Sequence, residues 1–222
     1  MSMNGSPACR IFLFRHGETA NAEKVCFNGH FDIGLSDKGK EQFKKIADSL
    51  KNFQLDGLYS SDLRRTREGA QTIGKAHDLS PTPYTEMREL CFGDWEGMSV
   101  DEVNSRFPGM LNQRMENIAT FQVEGGESFP QLRDRVLPKF QEIVSRHSQG
   151  NVVIVSHGGV NRVILGHILG IPIENIFRLQ QQYAAVNIIQ FYNDGNATVE
   201  LMGGTYREII EQIPDDKKLK IQ

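Results

Sequence analysis

The chain has 222 residues, of which 39% are hydrophobic and 24% are charged, and its formal net charge is −3. This is the composition of a globular protein, and the small negative charge gives no general attraction to nucleic acid or to an anionic membrane. No apolar run approaches the ~20 residues that a membrane-spanning helix needs. The three cysteines are scattered and lack CxxC spacing, which argues against a disulfide framework or a zinc knuckle and favours a cytoplasmic protein with reduced thiols.

Strand-like and helix-like segments alternate along the chain, and this alternation predicts an α/β fold. Short apolar runs predict strands at residues 11–14, 55–59 and 152–155 and a hairpin at 186–202. Apolar residues at helical spacing predict helices at residues 37–53, 63–76, 127–147 and 158–169. We therefore expect a three-layer sandwich, with a mostly parallel central sheet and helices on both faces.

Residues 97–130 interrupt this alternation. Pro108-Gly109 and Gly125-Gly126 break the pattern, and Ser99 followed by Glu102 has the spacing of a capping box at the start of a helix. We interpret the segment as a small helical flap that is inserted into the α/β framework.

The sequence contains no internal repeat and no low-complexity tract. Its length fits a single domain that spans residues 1–222 and includes the flap. The two ends, residues 1–9 and 213–222, are candidates for disordered segments, because chain termini are often poorly ordered.

Polar residues follow three of the predicted strands at the point where each strand ends. Arg15-His16-Gly17-Glu18 follows the first, the segment 60–65 follows the second, and Ser156-His157-Gly158-Gly159 follows the third. Because ligands of open α/β sheets bind at the carboxyl ends of the strands, we expect these segments to meet in one crevice. Arginine and histidine beside glycines, which allow a ligand to approach the backbone, indicate an anionic ligand.

Taken together, these motifs resemble those of the histidine phosphatase superfamily, also called the phosphoglycerate mutase-like family. The motifs occur in the family's order and span nearly the whole chain: Leu13–Thr19, Ser60–Thr66, Arg88–Leu90, Gly93–Gly97, Gly125–Ser128 and Val155–Gly159. The resemblance implies an enzyme that transfers a phosphoryl group through a phosphohistidine.

The resemblance implies that His16 is the nucleophile, whose neutral imidazole attacks phosphorus. Arg15 and Arg65 would bind the phosphoryl oxygens through the planar fork of the guanidinium group. Arg65 fits the register of the family's Ser-x-Leu-x-Arg element, and Arg64 is the alternative. His157 would donate a hydrogen bond to the phosphoryl group and stabilise the charge of the transition state.

Glu89 matches the family's general acid, which protonates the leaving oxygen and then deprotonates the attacking water. Glu86 and Glu96 are the less favoured alternatives. Gly158, next to the second histidine of the pair, is expected to bind substrate. We expect no cofactor, and because no HxxxH spacing is present we expect no catalytic metal.

Asn28 and Gly29 lie where the family often presents a polar side chain and a backbone amide to phosphate, so both are candidate substrate ligands. Asn21 is a further candidate, although Ala22 occupies the position at which many members carry asparagine. Cys26 also replaces a common arginine. These departures leave the phosphotransfer residues intact and affect the expected contacts to the rest of the substrate.

The expected function is hydrolysis of a small phosphorylated metabolite, with α-ribazole 5'-phosphate ranked first among the candidates. The alternative is a cofactor-dependent phosphoglycerate mutase, which must keep the phosphohistidine from water. In the segment 97–125 Arg106 and Arg114 are the only cations, and this favours access by water and thus hydrolysis. A third hypothesis is a binding module that has lost catalysis. We expect a monomer or homodimer, with neither nucleic acid nor a membrane as partner.

Overall fold

The computed structural model describes residues 6–211, and within this range six strands form one mixed sheet. The strands are β1 Pro7–Arg15, β2 Gly57–Ser61, β3 Thr82–Tyr84, β4 Gly150–Ser156, β5 Val186–Tyr192 and β6 Ala197–Gly204. Their order across the sheet is β3-β2-β4-β1-β5-β6. The first four in that order pair in parallel, whereas β5 is antiparallel to both β1 and β6. The predicted mostly parallel α/β sheet is therefore confirmed.

Helices cover both faces of the sheet. In chain order they are α1 Asp37–Leu50, α2 Arg64–His77, α3 Val100–Arg106, α4 Met110–Glu116, α5 Phe129–Arg146, α6 Gly158–Leu169 and α7 Tyr206–Glu211. One core packs α1 and α2 against the sheet, and the other packs α5 and α6 against the opposite face. No helix in the described range is long and apolar enough to cross a membrane.

The side chains of β1 alternate between these two cores, as the period of an extended strand requires. Ile11 and Leu13 are buried in the core under α5 and α6, and Phe12 and Phe14 are buried in the core under α1 and α2. A strand that is covered on both faces reads as an unbroken apolar run, which explains why it was recognisable in the sequence. The expected three-layer arrangement follows from this double burial.

The inserted segment has a small core of its own, which we call the flap core. Trp95, Val103 and Val123 are buried in it, and Phe27 and Phe92 pack against them. The capping box predicted from Ser99 and Glu102 is present. Ser99 is the N-cap residue, and α3 begins directly after Ser99.

Several boundaries differ from the prediction. The first strand begins at Pro7 and not at Ile11, so residues 7–9 belong to the sheet and not to a disordered end. Cys9 pairs with Gly150 of β4, which explains this extension. The strand β3 was not predicted at all. The expected disorder of residues 213–222 falls outside the described residues, as does that of residues 1–5.

Two helices are shorter than predicted. α1 ends at Leu50 and not at residue 53, and α5 begins at Phe129 and not at residue 127. The start of α5 is fixed by Ser128, whose side chain accepts a hydrogen bond from the backbone N–H of Gln131. The helix continues through Pro138, which cannot donate a backbone hydrogen bond.

Candidate active site

The carboxyl ends of β1, β2 and β4 bring the two histidines of the sequence motifs together. Arg15 pairs with Ser156 across β1 and β4, and the backbone N–H of His16 donates to the Ser156 carbonyl at 2.8 Å. The rings of His16 and His157 lie with their centroids 5.3 Å apart. Both side chains are buried, with exposed fractions of 5% and 0%. The expected meeting of the strand ends in one crevice is therefore present.

The ring of His16 is held in one orientation by its own backbone. Its Nδ1 lies 2.8 Å from the carbonyl oxygen of Gly17, so Nδ1–H donates to that oxygen and Nε2 carries the lone pair. Burial lowers the pKa of His16 well below its usual value of 6.5, and the guanidinium groups of Arg65 and Arg15 lower it further, while the Gly17 carbonyl opposes them. The imidazole is therefore neutral near pH 7 and able to act as a nucleophile through Nε2.

Arg65 is the arginine that lies in the crevice, with 1% of its surface exposed. Its Nη1 donates to the Phe31 carbonyl at 2.9 Å and its Nη2 to the Gly29 carbonyl at 2.5 Å. Its buried Nε has no hydrogen-bond partner among the described residues. Arg64, the alternative, is exposed and pairs with Glu68 at 3.6 Å on the surface of α2, so of the two arginines it is Arg65 that lies beside the histidines.

Arg15 is anchored from the other side of the crevice. Its Nη1 donates to the Gln181 carbonyl at 2.6 Å, and its Cζ lies 4.4 Å from the centre of the Tyr183 ring. The same ring packs against His16 with a centroid distance of 5.7 Å. The Nε of Arg15 is buried and, like that of Arg65, lacks a partner within residues 6–211. Each of the two guanidinium groups beside the histidine pair thus has an Nε–H group without a partner among the described residues.

One ring nitrogen of His157 has a hydrogen-bond partner among the described residues, and the other has none. Nε2 lies 2.7 Å from Ser61 Oγ, which is itself 2.7 Å from Thr66 Oγ1. Nδ1 is buried and has no hydrogen-bond partner in the described part of the chain. Burial, followed by the charge of Arg65, lowers the pKa of His157 well below its usual value of 6.5. Ser61 therefore orients the ring so that Nδ1 is the nitrogen left for a ligand.

Glu89 lies beside this group of donors, at the first turn of α6. Its carboxylate accepts hydrogen bonds from the Gly159 backbone N–H at 3.0 and 3.1 Å and from its neighbour Leu90 at 2.9 Å. A Cβ atom at Gly159 would lie only 2.3 Å from Glu89 Oε1, so glycine is what allows the carboxylate to approach the helix. The charge of Glu89 also acts on Arg15 and Arg65, which places it in the same crevice.

The two alternative acids are engaged elsewhere. Both carboxylate oxygens of Glu96 accept backbone N–H groups, from His30, Phe31 and Phe92, at 2.6 to 2.9 Å. Glu86 lies 3.6 Å from Lys139 in an ion pair on the surface. Of the three carboxylates, only that of Glu89 is bonded to the first turn of α6, which directly follows His157.

A partly buried ion pair holds the backbone around Glu89. Arg135 donates to three carbonyls of the segment 86–89 at 2.8 Å and to both oxygens of Glu127 at 2.7 Å. His30 Nε2 is 2.9 Å from the Glu89 carbonyl oxygen. Sequence reasoning recognised the Gly-Gly-Glu-Ser motif that contains Glu127 but gave no role to Arg135, which carried no signal of its own.

The predicted substrate ligands of the first loop bond mainly to one another. Asn21 Nδ2 donates to Asn28 Oδ1 at 2.7 Å, and Asn28 Nδ2 donates in return to Asn21 Oδ1 at 3.1 Å. Thr19 Oγ1 donates to Asn21 Oδ1 at 2.9 Å. Gly29, at a φ of +37°, offers its carbonyl to Arg65, and a Cβ there would lie 2.1 Å from a Glu96 oxygen. Gly29 therefore contributes to the site by anchoring an arginine.

A family model described as the histidine phosphatase superfamily (branch 1) matches residues 11–204. The chain belongs to the histidine phosphatase superfamily. The match covers all the strand ends that form the crevice, and it agrees with the resemblance found in the motifs.

The relatives of this superfamily member include proteins named as phosphatases. It is 30% identical over 192 residues to phosphoserine phosphatase 1 of Hydrogenobacter thermophilus, which covers 86% of this chain and 91% of that protein. It is 34% identical over 173 residues to glucosyl-3-phosphoglycerate phosphatase of Mycolicibacterium vanbaalenii, covering 75% and 76%. A putative α-ribazole-5'-P phosphatase of Escherichia coli superposes with a TM-score of 0.82 over 89% of this chain and 97% of that chain, at 23% identity. The last likeness concerns the fold alone.

The histidine phosphatase crevice also contains cations that sequence reasoning did not place there. Arg162 of α6 donates its Nε to the Leu179 carbonyl at 2.8 Å. The charge of Glu89 acts on Arg162 and also on Arg114 of α4, whose pKa is lowered to about 10, chiefly by burial. A Cβ atom at Gly158 would lie 3.1 Å from Arg162 Nη1 and 3.4 Å from Arg15 Nε, so the predicted ligand Gly158 lies between two guanidinium groups.

A buried amide network fixes the segment that anchors Arg15. Gln181 Nε2 donates to Asn187 Oδ1 at 2.8 Å, and Asn187 Nδ2 donates to the Leu13 carbonyl at 3.0 Å. Gln181 and Asn187 are 3% and 0% exposed. The sequence alone indicates no anchoring role for Gln181 or Asn187, because isolated amide side chains give no motif.

Residues 6–211 contain no group of three or more His, Cys, Asp or Glu side chains arranged to bind a metal ion. The polar chemistry of the crevice consists instead of a neutral imidazole, a second histidine, guanidinium groups and a single carboxylate. Such a set can bind a tetrahedral anion, attack it and move a proton.

Proposed function

We propose that this protein is a phosphatase that hydrolyses a small-molecule phosphomonoester through a phosphohistidine on His16. One observation carries the proposal. Arg15 Nε, Arg65 Nε and His157 Nδ1 are buried around His16 without hydrogen-bond partners among the described residues. Buried donors are almost always satisfied, and a phosphoryl group, which spreads its charge over three equatorial oxygens, supplies acceptors for all of them.

The first half-reaction uses the lone pair on Nε2 of His16. A bond forms between Nε2 and phosphorus, and the bond from phosphorus to the ester oxygen breaks. The proton of the Glu89 carboxyl group goes to the departing oxygen, so an alcohol leaves. Arg15, Arg65 and His157 stabilise the charge on the phosphoryl oxygens during transfer, in a site that is already arranged for it.

The second half-reaction restores the enzyme. Glu89, now a carboxylate, takes a proton from a water molecule. The oxygen of that water bonds to phosphorus, and the bond between phosphorus and Nε2 of His16 breaks. Inorganic phosphate leaves, and Glu89 carries a proton again. We propose that no metal takes part, since protein donors face every charge that develops, and EDTA should then leave turnover unchanged.

We retain α-ribazole 5'-phosphate as one candidate substrate, and phosphoglycerate mutase activity as the alternative function. A mutase returns the phosphoryl group to a bound glycerate, so isomerisation of 3-phosphoglycerate that depends on a bisphosphate would support it. Release of inorganic phosphate without isomerisation supports the phosphatase.

We further propose a cytoplasmic protein that acts as a monomer or homodimer on a free metabolite. Its three cysteines are unpaired thiols, one of them buried, which supports a reducing compartment. Sedimentation of the purified protein measures the oligomeric state directly.

The decisive experiment replaces the proposed nucleophile. His16→Ala should lower kcat by more than about a thousandfold and abolish trapping of an acid-labile phosphoenzyme. His167→Ala is the matched control, because His167 lies at the far end of α6. A variant without His16 that still forms the phosphoenzyme would overturn the proposed mechanism.

A further inference from the structure

Two arginines at the edge of the crevice share one aromatic ring. Arg114 Cζ lies 5.3 Å and Arg162 Cζ 5.2 Å from the centre of the Phe177 ring, which is 36% exposed. Arg114 also lies over Phe92 at 5.6 Å. Within residues 6–211 neither arginine forms an ion pair with a carboxylate, and the Nη groups of both have no hydrogen-bond partner.

These arginines lie on the side of the crevice where the alcohol leaves. Glu89, which donates the proton to the leaving oxygen in the proposed function, acts electrostatically on both of them. Arg162 lies close to the phosphoryl donors, because a Cβ atom at Gly158 would lie 3.1 Å from Arg162 Nη1 and 3.4 Å from Arg15 Nε. A group attached to the leaving oxygen therefore faces Arg114 and Arg162.

The balance of charge supports an anionic occupant. The charge of one carboxylate, that of Glu89, acts on four guanidinium groups: those of Arg15, Arg65, Arg114 and Arg162. A phosphoryl group at His16 accounts for the first two. The other two repel each other, and each is partly removed from water. An anion that lies between two guanidinium groups offsets their mutual repulsion and part of the cost of their burial.

We propose that Arg114 and Arg162 form a second anion subsite, which binds a carboxylate or second phosphate group on the leaving alcohol of the substrate. The proposal rests on the proposed function and narrows its substrate class to phosphomonoesters with a second anionic group. Phe177 keeps the two side chains in place by stacking. α-Ribazole 5'-phosphate, whose leaving group has no anionic group, would use the first site only and be a poorer substrate.

The test compares substrates that differ only in the second charge. 3-Phosphoglycerate and glycerol 3-phosphate differ by a carboxylate in place of a hydroxymethyl group. We expect kcat/KM to be about 10- to 100-fold higher for 3-phosphoglycerate, the range expected for hydrogen bonds to a charged group. Propane-1,3-diol bisphosphate and its monophosphate form the second pair, and they distinguish a phosphate-binding subsite from a carboxylate-binding one.

Substitutions of single arginines then test which residues cause the preference for the substrate with the second charge. Arg114→Met and Arg162→Met, which keep an unbranched apolar stem, should each reduce the ratio of the two kcat/KM values towards one. Arg106→Met is the control, because Arg106 is an exposed arginine of the same flap. Thermal unfolding of each variant establishes that it is folded. A ratio near one for both substrate pairs in the unaltered protein, or a ratio that survives both substitutions, would overturn the proposal.

A binding measurement separates this proposal from the one on which it rests. In the His16→Ala protein, calorimetry with 3-phosphoglycerate and glycerol 3-phosphate should show the same preference without turnover. If the unaltered enzyme hydrolyses no phosphomonoester, α-ribazole 5'-phosphate and p-nitrophenyl phosphate included, but the binding preference is present, the phosphatase proposal fails and the subsite stands. If hydrolysis occurs without any binding preference, the subsite fails and the phosphatase stands.

Discussion

The two ends of the crevice are built in different ways. At the phosphoryl end, Arg65 is almost fully buried and is held by two backbone carbonyls, while the ring of His16 is held by its own backbone. At the leaving-group end, Arg114 and Arg162 rest on aromatic rings and keep their Nη groups open. Backbone carbonyls hold Nη groups of Arg15 and Arg65, whereas the Nη groups of Arg114 and Arg162 have no such anchor among the described residues. In the proposed function, the phosphoryl group thus meets fixed donors, and the rest of the substrate meets donors that can adjust.

The origin of the residues explains this difference. The phosphoryl end is formed where β1, β2 and β4 end, and adjacent strands fix these positions to one another through their hydrogen bonds. The leaving-group end combines α4 of the flap, α6 and the segment around Phe177. Loops and insertions on a fixed scaffold are where binding specificity is usually varied.

The largest effect that would sharpen this comparison is expected at Glu89. Glu89→Gln keeps the shape of the side chain but removes the proton, so kcat/KM should fall by about 10²- to 10⁴-fold. The loss should be greater for alkyl phosphates than for p-nitrophenyl phosphate, because nitrophenolate leaves without protonation. Steady-state kinetics with both substrates measures this. Glu86→Gln is the control, and equal losses for the two leaving groups would contradict the assignment of Glu89 as the acid.

An intermediate effect is expected at Glu96, which connects the two ends. Its carboxylate accepts three backbone N–H groups, two of them in the loop whose carbonyls anchor Arg65. Glu96→Ala should lower the unfolding free energy by about 1–3 kcal/mol in total, because the three donors are only partly buried and water can replace some of the lost hydrogen bonds. Because Arg65 then loses its support, kcat should fall as well. Glu96→Gln keeps one acceptor oxygen, so its unfolding free energy and its kcat should lie between those of the unaltered protein and of Glu96→Ala. Denaturant unfolding and steady-state kinetics measure the two quantities.

If Glu96→Ala lowered stability without any change in kcat, the rigid anchoring of Arg65 would not matter for the reaction. The comparison between the two ends would then have to be abandoned, since a loosened phosphoryl end would work as well as a fixed one.

The smallest effect is on the pH dependence of stability. The pKa values of His16 and His157 are lowered by burial and then by nearby guanidinium groups, so the unfolded chain binds protons that the folded protein does not. Stability should therefore be complete above the ordinary value of 6.5 and fall as the pH decreases below it. The slope is about 1.4 kcal/mol per pH unit for each proton.

Chemical denaturation at a series of pH values measures this slope. His157→Gln removes one of the two groups and should reduce the slope between pH 6 and pH 5. An unchanged slope would show that His157 is protonated in the folded protein.

Much of the fold could be predicted because its central strands are buried on both faces. Every residue of β2 and the last five residues of β4 are buried, so their sequences carry continuous apolar or small residues. The strand β3 offers no such signal, because it is a three-residue edge strand with Pro83 at its centre. The end of α1 was misplaced since Phe53 continues the helical spacing after the helix has stopped at Leu50.

The candidate site was predictable only in part, for a physical reason. His16, Arg65 and His157 directly follow or flank strand ends, so the topology of a parallel sheet brings them together whatever the loops do. Arg114 and Arg162 meet only because the flap folds over the end of α6, and no local pattern encodes that contact. Ser61 was recognised as part of a motif, yet its hydrogen bond to His157 depends on the exact pairing of β2 with β4.

The buried donors around His16 have a consequence for the kinetics of repeated turnover. In the proposed function they bind a tetrahedral oxyanion, so the inorganic phosphate released by one cycle would itself be a ligand for them. Accumulating product would then compete with fresh ester for the enzyme and also protect the fold against heat, because a ligand that binds only the native state stabilises it. Inorganic phosphate would thus both inhibit the reaction and stabilise the folded protein.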